Sequence, residues 1–250
     1  MYLLYYLNCA EPKIYGPKIP TKVLQPLYRK VQRKILTYHN IFRTHVKPQA
    51  ADMLAMKWHK GAANSAQKWA SACRMLTHDT VKGRWVEKFG SCGQNIFIST
   101  QQVPWHYAIK TWYLEKNNFT YGSQNNSLID VGHYTQLIWY ATHRLGCGFS
   151  KCLTPAGKTY FSYVCNYCPI GNYLERLGKP YKKGEPCSGC PGHCRHGKLC
   201  TNSCPVADFW ANCRDIYKMW PDWLCNTQTP QGRERTYNCK ATCKCKNKIR

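Results

Sequence analysis

The stretch CSGCPGHCRHGKLCTNSC at residues 187–204 carries five cysteines, and CKATCKC at residues 239–245 carries three more. Ten of the chain's 17 cysteines lie between Cys187 and Cys245, interspersed with basic residues. Cysteines this dense are typical of secreted scaffolds held by disulfide bonds, because reducing compartments do not maintain such bonds. The sequence therefore predicts a secreted, extracellular protein whose last quarter is a separate disulfide-rich module.

Length and charge limit the classes of protein to which this chain can belong. A chain of 250 residues allows one medium domain and one small domain. The formal net charge is +24, from 36 Lys and Arg against 12 Asp and Glu, and it attracts anionic partners. Nucleic acid is a poor partner for an extracellular chain, so we expect an ion channel, a cell-surface protein, an anionic membrane surface or glycans. No stretch approaches the roughly 20 apolar residues of a membrane span, and we expect no transmembrane segment.

The first 22 residues have two interpretations. Residues 1–10 are apolar but few, and no basic region precedes them, so residues 1–22 are either an N-terminal arm or the remnant of a signal peptide. Cys9 lies in this segment and is the odd cysteine, because the other sixteen can all pair.

Apolar periodicity predicts a mixed α and β domain in the first two thirds of the chain. Spacings of three and four predict helices at residues 23–46, at residues 61–73 and from about Pro104 onward. β-Branched and aromatic residues predict strands at residues 144–150 and 159–167. The inward stripe predicted for the first helix consists of Leu24, Leu27, Val31, Ile35, Tyr38 and Phe42.

Two segments lack this periodicity. The polar stretch 117–131 is predicted to be a surface loop, in which Asn118 and Asn125 begin N-glycosylation sequons. Residues 170–186 are rich in Gly, Pro and Lys and are predicted to form a linker before the cysteine-dense tail.

The cysteine spacing leaves one alternative to disulfides. Cys165 and Cys168, followed by Cys187 and Cys190, have the spacing of a zinc ribbon. The other cysteines and the secreted composition favour disulfide bonds over such a thiolate site.

Four residues of the large domain are of the types that bind metals or transfer protons: His78, Gln94, Glu115 and His133. Two imidazoles and a carboxylate can hold a divalent ion or act in acid–base chemistry. Their spacing alone gives no reason to bring them together, since histidines are more often packing or surface residues.

Motifs along the chain supply that reason. They are ADMLAMKW (51–58), WASAC (69–73), CGQN (92–95), WYLE (112–115), GHYTQLIWY (132–140), RLGCG (144–148) and YVCNYCPIGN (163–172). Together they resemble the signature motifs of the CAP superfamily. The tail, with CTNSC (200–204) and CKATCKC (239–245), resembles the hinge and ion-channel-regulator region of cysteine-rich secretory proteins.

The resemblance implies an α+β fold with two modules. Residues 23–169 would form a CAP domain, an α-β-α sandwich. After the linker, residues 187–203 would form a hinge, and residues 204–250 a small ShKT-like domain of the ion-channel-regulator type. The disulfide pairs implied by the resemblance are Cys73–Cys152, Cys92–Cys168, Cys147–Cys165, Cys187–Cys194, Cys190–Cys200, Cys204–Cys245, Cys213–Cys239 and Cys225–Cys243.

The family cleft carries two histidines and two glutamates, of which His78, His133 and Glu115 match here. The other glutamate position is Gln94, which cannot act as a carboxylate base and removes one negative charge. We therefore expect no required cofactor, at most weak zinc binding through His78 and His133, and no enzymatic activity.

The resemblance implies two main functions and one alternative. One is regulation of ion channels by the basic tail, with Phe209, Trp210, Tyr217, Trp220 and Trp223 as candidate contacts. Another is binding to cell surfaces such as sperm, and a toxin-like venom role stays open beside this reproductive one. The alternative is binding of a sterol or other lipid, to which Phe119 and Tyr121 would contribute. A protease is the least favoured function because of Gln94.

Overall fold

The computed structural model describes residues 19–250. A four-stranded sheet with the order β1-β5-β6-β4 lies at its centre, and two two-stranded hairpins lie outside it. β1 pairs parallel with β5, and the other central pairs are antiparallel. The strands are β1 (Lys57–Trp58), β2 (Trp85–Val86), β3 (Gly90–Ser91), β4 (Gly93–Ser99), β5 (Arg144–Leu153), β6 (Thr159–Cys168), β7 (Cys194–Arg195) and β8 (Leu199–Cys200).

Helices lie in both modules. The helices of the large domain are α1 (Arg29–Thr44), α2 (Lys60–Ser71), α3 (Trp105–Leu114) and α4 (Leu128–Leu137), and those of the tail are α5 (Cys213–Met219), α6 (Pro221–Cys225), α7 (Pro230–Asn238) and α8 (Lys240–Lys244). Within residues 19–250, no helix is long and apolar enough to cross a membrane.

The large domain is an α-β-α sandwich, as expected. Successive residues of a strand face opposite sides of its sheet. Leu145 and Phe149 of β5 therefore pack into the main core with α1, α3 and α4. On the opposite face, Val164 of β6 packs against Ala66 and Ala70 of α2.

The motif RLGCG lets α2 approach the sheet closely. A Cβ added to Gly146 would lie 2.0 Å from the backbone nitrogen of Ala63, and one added to Gly148 would lie 2.3 Å from Cα of Gln67. Real Cβ atoms are never this close to backbone, so both glycines are required where helix and strand meet.

The first helix begins later than predicted. A 3-10 turn at Thr21–Leu24 precedes α1, which starts at Arg29. Pro26 lacks an amide hydrogen and disfavours a helical conformation at Gln25, so the predicted helix is interrupted there. Leu27 is consequently 67% exposed instead of lying in the inward stripe.

Other predicted boundaries also shift. The predicted loop 117–131 ends at Ser127, whose side chain accepts a hydrogen bond from the Ile129 amide and begins α4. Both sequon asparagines, Asn118 and Asn125, are exposed, and their glycosylation stays a prediction.

The segment predicted as a linker, 170–186, packs on the large domain. Tyr181 is buried in the main core, and the Lys182 carbonyl accepts a hydrogen bond from the Ala51 amide. The hinge continues this contact, because Cys200 exchanges backbone hydrogen bonds with Met53 and Ala55. Residues 170–203 are therefore a packed connection and not an open tether. Residues 1–18 of the predicted arm, including Cys9, lie outside the described residues.

Eight disulfides cross-link the described chain, in the same pairs that the resemblance implies. Three lie in the large domain, two in the hinge and three in the tail. The four cysteines with zinc-ribbon spacing are each bonded to another partner. The zinc-ribbon alternative is therefore wrong, because bonded sulfurs are not thiolates.

Candidate functional site

The four candidate site residues come from separate elements and meet at one cleft of about 260 Å³. Gln94 lies on β4, His133 on α4, and His78 in the loop that follows α2. Glu115, at the end of α3, lies behind His133 and orients it. The residues that line the cleft are His78, Arg84, Gly93, Gln94, Asn95, Leu128, Gly132, His133, Gln136, Ile170, Gly171 and Asn172.

Glu115 fixes the orientation of His133. Its Oε1 lies 2.6 Å from Nδ1 of His133, and its Oε2 accepts hydrogen bonds from the backbone amides of His133 and Tyr134 at 2.8 and 3.0 Å. Because the carboxylate accepts, Nδ1 of His133 is the donor, and the neutral ring keeps a lone pair on Nε2. Both carboxylate oxygens are thus already occupied within the protein.

Gln94 orients His78 through a hydrogen bond, as Glu115 orients His133. Its Oε1 accepts from Nδ1 of His78 and from the Asp79 amide, both at 3.0 Å, and its Nε2 donates to Oδ1 of Asn166 at 3.0 Å. A glutamate could accept the first two bonds but could not donate the third. Burial lowers the pKa of His78, while the bond to Gln94 opposes this effect and Arg84 adds to it.

These donors do not fit a tightly held divalent metal. The cleft offers two imidazole nitrogens, from His78 and His133, and no carboxylate among its lining residues. Structural and catalytic zinc sites use three or four protein ligands. The guanidinium of Arg84 also lines the cleft and repels cations.

Two lining residues with unpaired polar atoms were not identified as site residues from the sequence. Nε of Arg84 and Oδ1 of Asn172 are buried, and neither has a hydrogen-bond partner in the described chain. Asn172 ends the quoted motif YVCNYCPIGN, so the motif could have indicated it. Arg84 lies in no motif, and its place in the cleft follows only from the fold.

A group of cysteine sulfurs lies close together in the hinge. Those of Cys187, Cys190 and Cys200 are within 4.8 Å of one another. Cys187 is bonded to Cys194, and Cys190 to Cys200, so this proximity reflects two adjacent disulfides and offers no thiolate ligand.

The structure divides the five predicted contact residues of the tail. Phe209 is partly buried, with its ring centroid 5.1 Å from that of Trp85 in the large domain and 5.4 Å from that of Tyr237. Tyr217 packs on the small cluster around Leu224. Both therefore pack within the protein and are only partly exposed, and their role as contacts stays a prediction.

The remaining three tryptophans are exposed, and two lie together at the corner between α5 and α6. Trp220 is 56% exposed and Trp223 is 51% exposed. The neighbouring Met219 is also exposed, and the guanidinium of Arg235 lies 3.9 Å from the ring centroid of Trp223. We call Met219, Trp220, Trp223 and Arg235 the α5–α6 surface. Trp210 is 37% exposed and lies outside it.

Comparison with protein families identifies both modules. The family described as "CAP: Cysteine-rich secretory protein family" matches residues 36–167, which include most of the sandwich and nine of the twelve residues that line the cleft. The family described as "Crisp" matches residues 187–250, which cover the hinge and tail. The fold and the disulfide-rich tail thus define a CAP protein with a C-terminal Crisp module.

Similar proteins narrow the class further. The chain is 41% identical over 222 residues to cysteine-rich secretory protein 2 of Cavia porcellus, covering 88% of this chain and 85% of that protein. It is 39% identical over 241 residues to cysteine-rich secretory protein 2 of Homo sapiens, covering 93% and 94%. The chain therefore belongs to the cysteine-rich secretory protein family.

A solved structure is similar in the large domain. The crystal structure of NaASP2 with Zn2+ has a TM-score of 0.58 and 29% identity, and the match covers 70% of this chain and 96% of that one. The zinc ion belongs to that crystal structure and is a feature of that protein.

Proposed function

We propose that this protein is a secreted, non-enzymatic regulator of ion channels that acts through its disulfide-rich tail. The observation that carries the proposal is the α5–α6 surface, where two tryptophans are about half exposed beside a cation. Large aromatic and arginine side chains are the residues that most often dominate the binding energy of an interface.

The tail presents this surface rigidly. The disulfide between Cys225 and Cys243 holds the end of α6, and Leu224 is fully buried beside it. Trp220 is also fixed through its backbone, which bonds to Ile216 and Leu224. A surface that is already ordered loses less entropy on binding.

The charge of the tail favours an acidic partner. Residues 187–250 contain eleven Lys and Arg and four Asp and Glu, a net charge of +7. The acidic mouth of a channel would attract such a module and accelerate association. The test is patch-clamp recording with the whole protein on calcium, potassium and ryanodine-type channels. An effect on at least one class supports the proposal, and no effect on any of them overturns it.

Binding to cell surfaces such as sperm is a second function, and the exposed face of α1 favours it. Arg29, Lys30, Arg33 and Lys34 are all exposed on its first two turns, and no acidic residue lies in the first turn. Cations at a helix N-terminus are unfavourable for the helix itself, so this cluster does not serve helix stability. Binding to cells should weaken strongly between 50 and 300 mM salt, because the electrostatic screening length shortens about two- to threefold over this range. Binding that is insensitive to salt would contradict this function.

The cleft supports the non-enzymatic part of the proposal. Its glutamate position is the amide Gln94, and Glu115 is committed to His133 and Tyr134. Neither position therefore offers a free carboxylate base to water or to a nucleophile, and no serine or cysteine is among the described residues that line the cleft. Incubation of the pure protein with a broad peptide library should give no cleavage above background.

The lipid-binding alternative gains no support from the aromatic residues suggested for it. The ring of Phe119 packs against Tyr134, and the ring of Tyr121 packs against Tyr181. Both rings are thus already engaged by the protein's own core.

A further inference from the structure

The guanidinium of Arg84 lines the cleft without a protein partner. Its Nε is buried and unpaired, and within residues 19–250 it makes no ion pair within 4.0 Å. Burial lowers the pKa of Arg84, and Asp79 is the acidic group that opposes this effect. Buried polar groups in folded proteins nearly always have partners, so an unpaired guanidinium at a cleft indicates a ligand.

Arg84 is the only residue with a permanent charge among those that line the cleft. The acidic group that acts on Arg84, Asp79, lies over the neighbouring Gly83 and forms no ion pair with Arg84 within 4.0 Å in residues 19–250. Asp79 accepts a hydrogen bond from the Thr80 amide, and both oxygens of Glu115 are engaged by α4. The position where the family has a second glutamate is the neutral Gln94.

We propose that this cleft binds an oxyanion, in the form of a phosphate or sulfate group, with the guanidinium of Arg84 as its main anchor. Guanidinium groups pair with such oxyanions through two parallel hydrogen bonds. The volume of about 260 Å³ exceeds that of a few water molecules, each of about 30 Å³. The cleft therefore has room for the oxyanion and part of a molecule that carries it.

Gln94 is the second determinant of this preference. A carboxylate at residue 94 would place a negative charge in the same cleft as Arg84, where it would compete with an incoming anion. The neutral amide keeps the hydrogen bond to His78 without that competition. The same residue therefore disfavours a metal ion and favours an anion.

The test is a calorimetric titration of the whole protein with inorganic phosphate, inorganic sulfate and glycerol 3-phosphate as separate probes. We expect saturable binding, weakened about tenfold or more by Arg84→Gln, since a hydrogen bond to a charged group has about this effect. Stronger binding of glycerol 3-phosphate than of phosphate would indicate an esterified ligand such as a lipid headgroup, and equal binding a free ion. The matched control is Lys82→Gln, because Lys82 is an exposed cation of the same loop and does not line the cleft.

The variant Gln94→Glu gives an independent readout that does not remove Arg84. The negative charge that it adds to the cleft should weaken phosphate binding by about tenfold. The same charge should strengthen the binding of zinc when zinc is titrated as the only probe. Circular dichroism checks that each variant is folded. No saturable binding of any probe, or phosphate affinity unchanged in Arg84→Gln, overturns the proposal.

Discussion

At the scale of single residues, Arg43 contributes most to the framework of the large domain. It is fully buried, and its guanidinium donates to five carbonyl oxygens: those of Leu54, Leu137, Trp139, Tyr140 and Thr142. The Leu54 carbonyl lies in the segment before β1, the Leu137 carbonyl lies at the end of α4, and the other three lie in the turn between α4 and β5. One side chain thus joins the segments that lead into the adjacent strands β1 and β5.

Replacing Arg43 with methionine should destabilise the protein strongly. The variant keeps most of the apolar stem but removes every guanidinium bond to the five buried carbonyls, of which only those of Trp139 and Tyr140 keep a backbone donor from outside a helix. The free energy of unfolding should therefore fall by about 3 kcal/mol or more. Denaturant unfolding measures the change. Arg33→Met is the matched control, because Arg33 lies on the same helix but is exposed, and it should change stability by less than about 0.5 kcal/mol. Equal effects of the two substitutions would contradict this role for Arg43.

His39 and His143 should make stability depend on pH. Burial lowers the pKa of each to about 4. Since an unfolded histidine titrates near 6.5, each group binds a proton in the unfolded state first as the pH falls. The stability that the neutral rings provide is complete above about pH 6.5 and is lost progressively as the pH falls toward 4.

The free energy of unfolding should therefore fall between pH 7 and pH 5, by about 2 kcal/mol for each histidine. His39→Gln should reduce this dependence, because the neutral ring bonded to Tyr167 is removed. Denaturant titrations at the two pH values provide the measurement. An identical pH dependence in the variant and the wild type would show that His39 does not titrate as described.

The residues of the cleft could be predicted only in part. The motifs contain Gln94, Glu115 and His133, the family resemblance adds His78, and the structure brings the four together. Arg84 could not be found in this way, because its position depends on how the loop after α2 folds over β4. The packing of Phe209 and Tyr217 could not be predicted, since sequence alone does not distinguish a packed aromatic ring from an exposed one.

At the scale of elements, the contact between Phe209 and the hairpin of β2 and β3 fastens the tail to the large domain. The Phe209 ring lies between Trp85 and Tyr237, and the Ala207 amide donates to the Lys88 carbonyl beside it. This contact orients the tail relative to the cleft.

Phe209→Ala should loosen this attachment without unfolding the tail, because the three tail disulfides remain. Hydrogen exchange at the Ala207 amide should become faster, while exchange in the sheet stays unchanged. Trp210→Ala is the control, since Trp210 is more exposed and has no such contact across the modules. Unchanged exchange at Ala207 would show that Phe209 does not hold the modules together.

The elements themselves were predicted unevenly, for physical reasons. The helices α2 and α3 agree closely with their patterns because each buries one regular face. The strands β5 and β6 begin at their predicted residues, and β6 is rich in the β-branched and aromatic residues that indicate a strand. The strand β4 is not predicted, since its sequence GQNIFIS places three apolar residues in succession and lacks alternation. The start of α1 was wrong because apolar spacing continued through Pro26, which the helix cannot accommodate.

At the scale of the whole molecule, the two modules carry different candidate binding features. The large domain has a cleft with a neutral amide at a glutamate position, and the tail has a rigid, cationic and aromatic surface. The hinge does not separate them, because residues 170–203 pack on the large domain. The tail is therefore held by a fixed support, and the α5–α6 surface is the part of the molecule to which we assign the proposed channel contact.

The measurement that tests this account most directly is a comparison of channel inhibition or activation by the wild type and the double variant Trp220→Ala, Trp223→Ala. Both are applied as whole folded proteins to the channel class that responds to the wild type. The double variant should lose about tenfold or more in potency, as expected for central interface residues. The control Ile129→Ala, which removes a highly exposed apolar side chain from the large domain, should keep full potency. Equal potency of the double variant and the wild type would contradict the account.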